Sequence, residues 1–316
     1  MSYFFIKRLF SSLPVLIGLS LLAFLLVRLI PGDTATILLG LRYSPESAAA
    51  LQAELGLDRS WAAQYWLWLK SALQGDFGQS AVSGQSVSQE IISRLMLTSE
   101  LAFISLVLGS VSGILLGLAV SMKAHPLLQK LAQLVSILGI SIPNFWLATM
   151  LLMLFSVYAG ILPAGAYVPW QENASAHVQS MILPSLSLSF AVMAVTTRMT
   201  QSSLAETIHQ PYIHTALAKG LSRWQVMRHH ALKNALAPVI TIIGLQAGSL
   251  LGGSIVIEQV FSLPGFGQLI LQSVGNRDYP MLQGIILTTG SFFILINILV
   301  DMIYRLLDPR IEGHIS

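Results

Sequence analysis

The sequence predicts an all-α integral membrane protein of six transmembrane helices, with both termini in the cytoplasm. Three observations carry this. Of 316 residues, 54% are hydrophobic and only 10% are charged, and the mean hydropathy is +0.71, which is membrane rather than soluble composition. Uncharged runs long enough to cross a bilayer, about 20 residues each, recur along the chain. Finally, the basic residues divide unevenly between alternate connecting segments.

The first run, Leu9–Val27, comes after a basic start at Lys7 and Arg8. It is longer than a signal-peptide core and no small-residue cleavage site comes after it, so it reads as a retained first span. Further runs lie at Leu101–Met122, Val178–Thr197, Asn234–Ile257 and Tyr279–Val300. A longer stretch, Leu131–Gln171, holds one more span ending near Gly160, then a loop. Pro143 removes a helical hydrogen bond and predicts a kink in this third span. Ser141, Pro143 and Asn144 are therefore candidates for lining a pathway, although a kink that is merely packed has the same sequence signature.

Six spans place both termini on one side. If that side is cytoplasmic, the inner segments hold Lys7, Arg8, Lys123, Lys130, Arg198, Lys219, Arg223, Arg228, Lys233, Arg305 and Arg310, 11 residues. The outer segments hold Arg28, Arg42, Arg59, Lys70, Arg94 and Arg277, 6 residues. This excess is the positive-inside pattern. The first outer loop, residues 31–99, has helical patterning around Ser47–Leu55 and Ala62–Leu73, then a turn-rich GDFGQSAVSGQS stretch. Its Trp61, Tyr65, Trp66, Trp68 and Phe77 provide apolar surface for a folded loop, and the same residue types suit an interfacial belt. In the last outer loop, residues 258–280, Pro264-Gly265 marks a turn, and the amphipathic LILQSV beyond it suits a membrane surface.

Several chemistries find no residues to carry them. No phosphate-binding glycine loop, metalloprotease helix or nucleophile elbow occurs. There is no cysteine, and no basic tract with interleaved aromatics for nucleic acid. His229 and His230 are adjacent, so they point to different faces of a helix, and no carboxylate joins them. No cofactor or metal site is expected. The spans lack the central Asp, Glu or His of an ion-coupled carrier: Asp301 and Arg198 fall at inner ends of the spans, and Glu100 and Glu258 at outer ends, where interfacial pairing is the expected role. That absence points to a partner as the source of energy for any transport.

The polar, basic stretch Pro211–Pro238 is the longest such interruption in the second half of the chain. It reads as two short helices joined at Gly220. Pro211 suits a first turn, Gly220 a stop, and Ser222 with Gln225 has capping-box spacing. Trp224, Met227, Ala231 and Ala235 share one face of the second helix. A solvated loop that only sets topology is the competing reading.

The residues of this stretch, HTALAKGLSRWQVMRHHALKNALAPVI, resemble the cytoplasmic coupling loop of ABC importer permeases of the dipeptide/oligopeptide/nickel type. That pattern runs R-T-A-R-A-K-G and then, after a short spacer, H-A-L-R-N-A-L-x-P-V. Thr215, Ala216, Ala218, Lys219, Gly220, Leu221, His230, Asn234 and Pro238 match it. His214 and Leu217 depart from it, each standing where arginine is usual. The resemblance extends through Pro31-Gly32-Asp33, Leu55-Gly56-Leu57-Asp58, Gly75–Ser80, Ser141–Trp146, Ile182-Leu183-Pro184, Gly253–Glu258, Pro264–Gly267, Arg277–Pro280 and Asp308-Pro309. Met96 stands where proline is common.

The resemblance implies a type I ABC importer permease fold and a non-catalytic membrane subunit of the bacterial inner membrane. Residues 1–98 would form the first span with its folded outer loop. Residues 99–310 would form a five-helix core whose coupling loop is 200–236. Expected partners are a second homologous permease, two cytoplasmic ABC ATPases, an extracytoplasmic solute-binding protein and membrane lipid, with no nucleic acid. ATPase coupling would fall to His214, Thr215, Ala216, Ala218, Lys219, Gly220, Leu221, Arg223, His230, Asn234 and Pro238. The expected solute is a small peptide or peptide-like molecule, and the alternative is nickel or a metal chelate. Two rivals from other classes are a stand-alone proton-coupled carrier and a structural scaffold.

Overall fold

A computed structural model describes residues 2–29, 44–46, 59–122, 126–165 and 167–307. The Pro31–Asp33 and Leu55–Asp58 motifs, the helical pattern at Ser47–Leu55, Lys123 and the Asp308-Pro309 motif lie outside the described residues. All regular elements among those described are helical: α1 (Ser2–Leu29), α2 (Trp61–Leu73), α3 (Val87–Ser121), α4 (Pro126–Ser141), α5 (Asn144–Leu152), α6 (Ala174–Ile208), α7 (Pro211–Ala218), α8 (Arg223–Val226), α9 (Leu232–Val260), α10 (Phe266–Gly275) and α11 (Tyr279–Leu307). Five helical stretches are long and apolar enough to cross a membrane, and a sixth span results if a bent pair is counted as one.

That bent pair is the expected third span, and it is broken rather than kinked. Its halves, Gln129–Ser141 and Asn144–Tyr158, meet at 111°. Proline forces the residue before it out of the helical region. Pro143 itself is extended, at φ −60° and ψ 134°, and its carbonyl accepts from Trp146 N, so a new helix starts there. The second half ends in a π-helical turn, Met153–Tyr158, and the chain reverses at Gly160, whose φ of +64° favours glycine.

The described residues form two compact units. One comprises Met1–Met96 and Leu269–Leu295. Here α2 packs on α1: Tyr65 shares a 2.8 Å hydrogen bond with Ser20, and Phe24 meets Tyr65 edge-on, with ring centroids 5.3 Å apart. In the turn-rich segment, Asp76 Oδ1 accepts from Gly78 N at 2.9 Å. The Asp278 carboxylate accepts from Ser80 Oγ and from the N–H groups of Ala81 and Met281. Gly284 leaves room for Val87 and Ile91, and Gly290 for Leu19.

The other unit comprises Leu97–Gln268 and Ile296–Ser316 and is organised on α6. Leu183, Leu188 and Val192 of α6 join Leu97 and Leu101 of α3, Ala148 of α5, and Leu250 and Ile257 of α9 in one buried cluster. Lipid gives helices no hydrophobic reason to associate, so close packing must supply it. The α3 face toward α6 is accordingly Gly109, Gly113 and Gly117, against Val192, Thr196 and Thr200. Gly139 of α4 admits Ala194 in the same way.

Glu258 is not the interfacial group its position suggests. It is fully buried. Its Oε1 accepts from Thr98 Oγ1 at 2.6 Å and its Oε2 from Gln268 N at 3.0 Å, at the start of α10. Thr98 Oγ1 in turn accepts from Phe266 N at 2.8 Å. A carboxylate thus caps the first turn of a helix, where backbone N–H groups lack partners.

Candidate functional site

The Pro211–Pro238 segment is a packed, capped element rather than a floppy connection. Pro211 occupies the first turn of α7. At the other end, Gly220 takes φ +84°. Gly220 N donates to Leu217 O at 3.0 Å and Leu221 N to Ala216 O at 3.4 Å, the paired bonds of a Schellman stop. The apolar contact that accompanies such a stop is present: Leu221 packs on the cluster containing Ala216. The capping box forms as expected, with Ser222 N donating to Gln225 Oε1 at 2.9 Å and Gln225 N to Ser222 Oγ at 3.3 Å.

The second helix differs from expectation. It is not short. α8 passes through a π-helical turn, Met227–Ala231, directly into α9. Such a turn holds one residue more than an α-helical turn and rotates the helix on its N-terminal side relative to the helix beyond it. Met227, Ala231 and Ala235 are buried as their shared face predicts, but Val226 takes the fourth buried place, and Trp224 is 56% exposed. These residues pack with Leu204 of α6 and with Ile213 and Ala216 of α7. Ser203 Oγ donates to Ala235 O at 2.8 Å, and Asn234 Nδ2 donates to Tyr212 Oη at 2.8 Å, tying α7 to α9. α7 is thus in contact with both long helices, α6 through the buried cluster and α9 through Asn234 as well.

The surface so presented is mixed. Tyr212 (40% exposed), Leu217 (39%) and Trp224 form apolar points, beside exposed His214, Thr215, Lys219, Arg228 and His229.

Known sequences and structures resemble this chain over most of its length. Residues 109–313 match the profile of the family described as binding-protein-dependent transport system inner membrane component, and residues 1–102 match the N-terminal segment of such membrane components. The chain belongs to this family. A Brucella abortus protein that bears the provisional name of a peptide transport system permease is 38% identical over 99% of both chains. The glutathione transport system permease GsiC of Salmonella typhimurium is 40% identical over 97% of this chain and 98% of its own. Among solved structures, the fold matches an inward-facing MetNI methionine ABC transporter at TM-score 0.55 and 20% identity, over 69% of this chain and 96% of that one. A second match, an amino acid ABC transporter with histidines, has TM-score 0.54 and 16% identity, over 69% and 94%. This permease is thus a multi-pass protein of the bacterial inner membrane with the fold of ABC importer permeases. Its family works with ATPase and binding-protein partners.

The residues expected to couple the permease to an ATPase fall into three groups. His214, Thr215, Ala218, Lys219 and Gly220 lie on the exposed side of α7 and its stop. Ala216 is buried and Leu221 half-buried beneath them, so both position the element. Arg223 begins α8, His230 is half-buried in the π turn, Asn234 holds Tyr212, and Pro238 lies exposed in α9. The Tyr212–Asn234 and Ser203–Ala235 links were not anticipated. Their signal in the sequence is slight, since either residue alone reads as an ordinary polar helical position. Ser141 and Pro143 are exposed and Asn144 half-buried at the break between α4 and α5, next to exposed Phe145 and Trp146.

Near the start of α6 the His177 ring lies between Glu100 Oε1, 2.8 Å from Nε2, and Val168 O, 2.9 Å from Nδ1. Tyr167 and Trp170 meet it edge-on. Burial, and then the Glu100 carboxylate, raise the Tyr167 phenol above its ordinary range.

Proposed function

We propose that this permease is one of a pair that imports small peptides or peptide-like solutes, driven by two cytoplasmic ATPases and fed by an extracytoplasmic binding protein. The observation that carries the coupling role is the doubly capped α7–α8 element, welded to α6 and α9 and exposing Tyr212, Leu217, Lys219 and Trp224. A rigid element can pass a rigid-body shift of an ATPase to the spans, where a flexible linker would absorb it. Residues 200–236 are the coupling loop within a core of residues 99–310, and residues 1–98 are an N-terminal addition. Both termini face the cytoplasm, as the 11 to 6 division of basic residues supports. The break at Ser141, Pro143 and Asn144 lines the solute pathway.

The choice of peptide rests on the names of the relatives, which are peptide and glutathione permeases. Two experiments test the reading. In the assembled complex, Gly220→Pro cannot adopt φ +84° and removes the Gly220 N donor, and Ala216→Arg drives a charge under α7. Both are expected to abolish ATP-driven uptake and ATPase binding, and survival of both activities would refute the coupling role. For the solute, uptake of a labelled dipeptide should be competed by peptides and glutathione and not by chelated nickel.

A further inference from the structure

We propose that α2 is an interfacial helix seated in the bilayer at the Val27 end of α1, with its Ala62–Trp66–Leu73 side in lipid. The partner of this surface is the membrane itself.

Contacts with α1 fix the depth of α2. The apolar window of α1 is Phe10–Val27, about 27 Å at 1.5 Å per residue, which matches the hydrocarbon thickness of a bilayer. Ser20, which bonds the Tyr65 hydroxyl, lies seven residues (27 minus 20) inside that window, or about 10 Å from its edge. Phe24, which touches both Tyr65 and Trp68, lies three residues inside (27 minus 24). A helix that makes these contacts reaches the depth of the hydrocarbon and cannot stand wholly in water.

The sequence of α2 fits that position. At 100° per residue its side chains fall into three sectors. Trp61, Gln64, Tyr65, Trp68 and Ala72 form the first, and all but Trp61, exposed in the first turn, are buried or half-buried. Ala62, Trp66 and Leu73 form the second and are exposed, Trp66 by 68% and Leu73 by 80%. Lys70, Ser71 and Gln74 form the third, also exposed, with exposed Leu67 and half-buried Ala63 the apolar members on that side. A helix in water beside a span has no use for an exposed tryptophan and leucine on one flank and polar groups on the other. A helix lying in the interface requires both, one flank toward lipid and one toward water. Tryptophan is the residue type enriched at this depth, and Arg59 and Lys70, both exposed, flank the ends of the helix where lipid phosphates lie. Leu21, Leu22 and Leu25 of α1 are exposed as well.

The chain has no cysteine, so single cysteines can be placed without other changes. Trp66→Cys, Leu73→Cys and Ser71→Cys are each spin-labelled in the full chain, reconstituted in phospholipid nanodiscs with any co-purifying subunits made cysteine-free. Collision with dissolved oxygen, which concentrates in lipid, is compared with collision with a water-soluble nickel chelate. At 66 and 73 oxygen is expected to dominate, and at 71 the nickel chelate. Nickel dominance at 66 and 73 would place the helix in water and overturn the proposal. If neither relaxant reached those two positions, a protein partner would cover them, which would also overturn it.

Discussion

Glu258 shows how much one side chain can organise. Its two oxygens bring together the end of α9, Thr98 of α3 and the first turn of α10. A Cβ on Gly265 would collide with its carboxylate, and one on Gly267 would lie 2.7 Å from Ile255 Cα, so the loop needs both glycines to close over it. Each buried donor left without an acceptor costs about 1–3 kcal/mol. Glu258→Ala orphans the Thr98 hydroxyl and the Gln268 amide, so it should lower the melting temperature of the detergent-solubilised permease more than Glu258→Gln, which keeps one acceptor. Equal melting of the two variants would show that the network contributes nothing. Gly267→Ala should also destabilise, because backbone rather than a flexible side chain must give way. A glutamate at the end of an apolar run reads as a group reaching for the interface. Its burial depends on a partner 160 residues away in the chain, Thr98, and no local pattern of residues states that.

At the scale of elements, α3 packs through absence of side chain. A Cβ on Gly113 would lie 2.7 Å from Thr196 Cβ and 2.8 Å from Met193 O. Gly113→Leu should cost about 1–3 kcal/mol as overpacking, read as a loss of melting temperature. Gly252→Ala, where no atom lies within 4 Å of the added Cβ, should be near neutral. Gly220 poses a different problem. Space around it is open, and the constraint is φ +84°. Asparagine tolerates that conformation and a β-branched residue does not, so Gly220→Asn should retain uptake and Gly220→Val should lose it, a contrast that size alone would not produce. The apolar runs, the Pro211 start, the Gly220 stop and the Ser222–Gln225 box were all legible, because each rests on neighbours in sequence. The 111° break at Pro143 and the π turn at Met227–Ala231 were not. A proline gives notice of a bend without fixing its size, and a π turn has no residue signature, which is why Trp224 lies outside the buried face expected of it.

At the scale of the whole molecule, family and fold class were readable from composition and motif order, and solved structures agree in fold over 69% of the chain. Orientation rests on a statistical rule, and the permease is well suited to a direct test. Under the proposed topology, Lys219 and Arg228 of the coupling element face the cytoplasm, whereas Gln85 and Trp170 lie in segments on the other side. All four are described, and Gln85 and Trp170 are exposed. In the cysteine-free background, Gln85→Cys and Trp170→Cys should react with a membrane-impermeant maleimide in intact spheroplasts. Lys219→Cys and Arg228→Cys should react only after permeabilisation. The reverse pattern would invert the topology and, with it, remove the ATPase from reach of α7. Protection of Lys219→Cys even in permeabilised membranes, lifted when the ATPase subunits are stripped away, would place the partner on the surface that Tyr212, Leu217 and Trp224 leave uncovered.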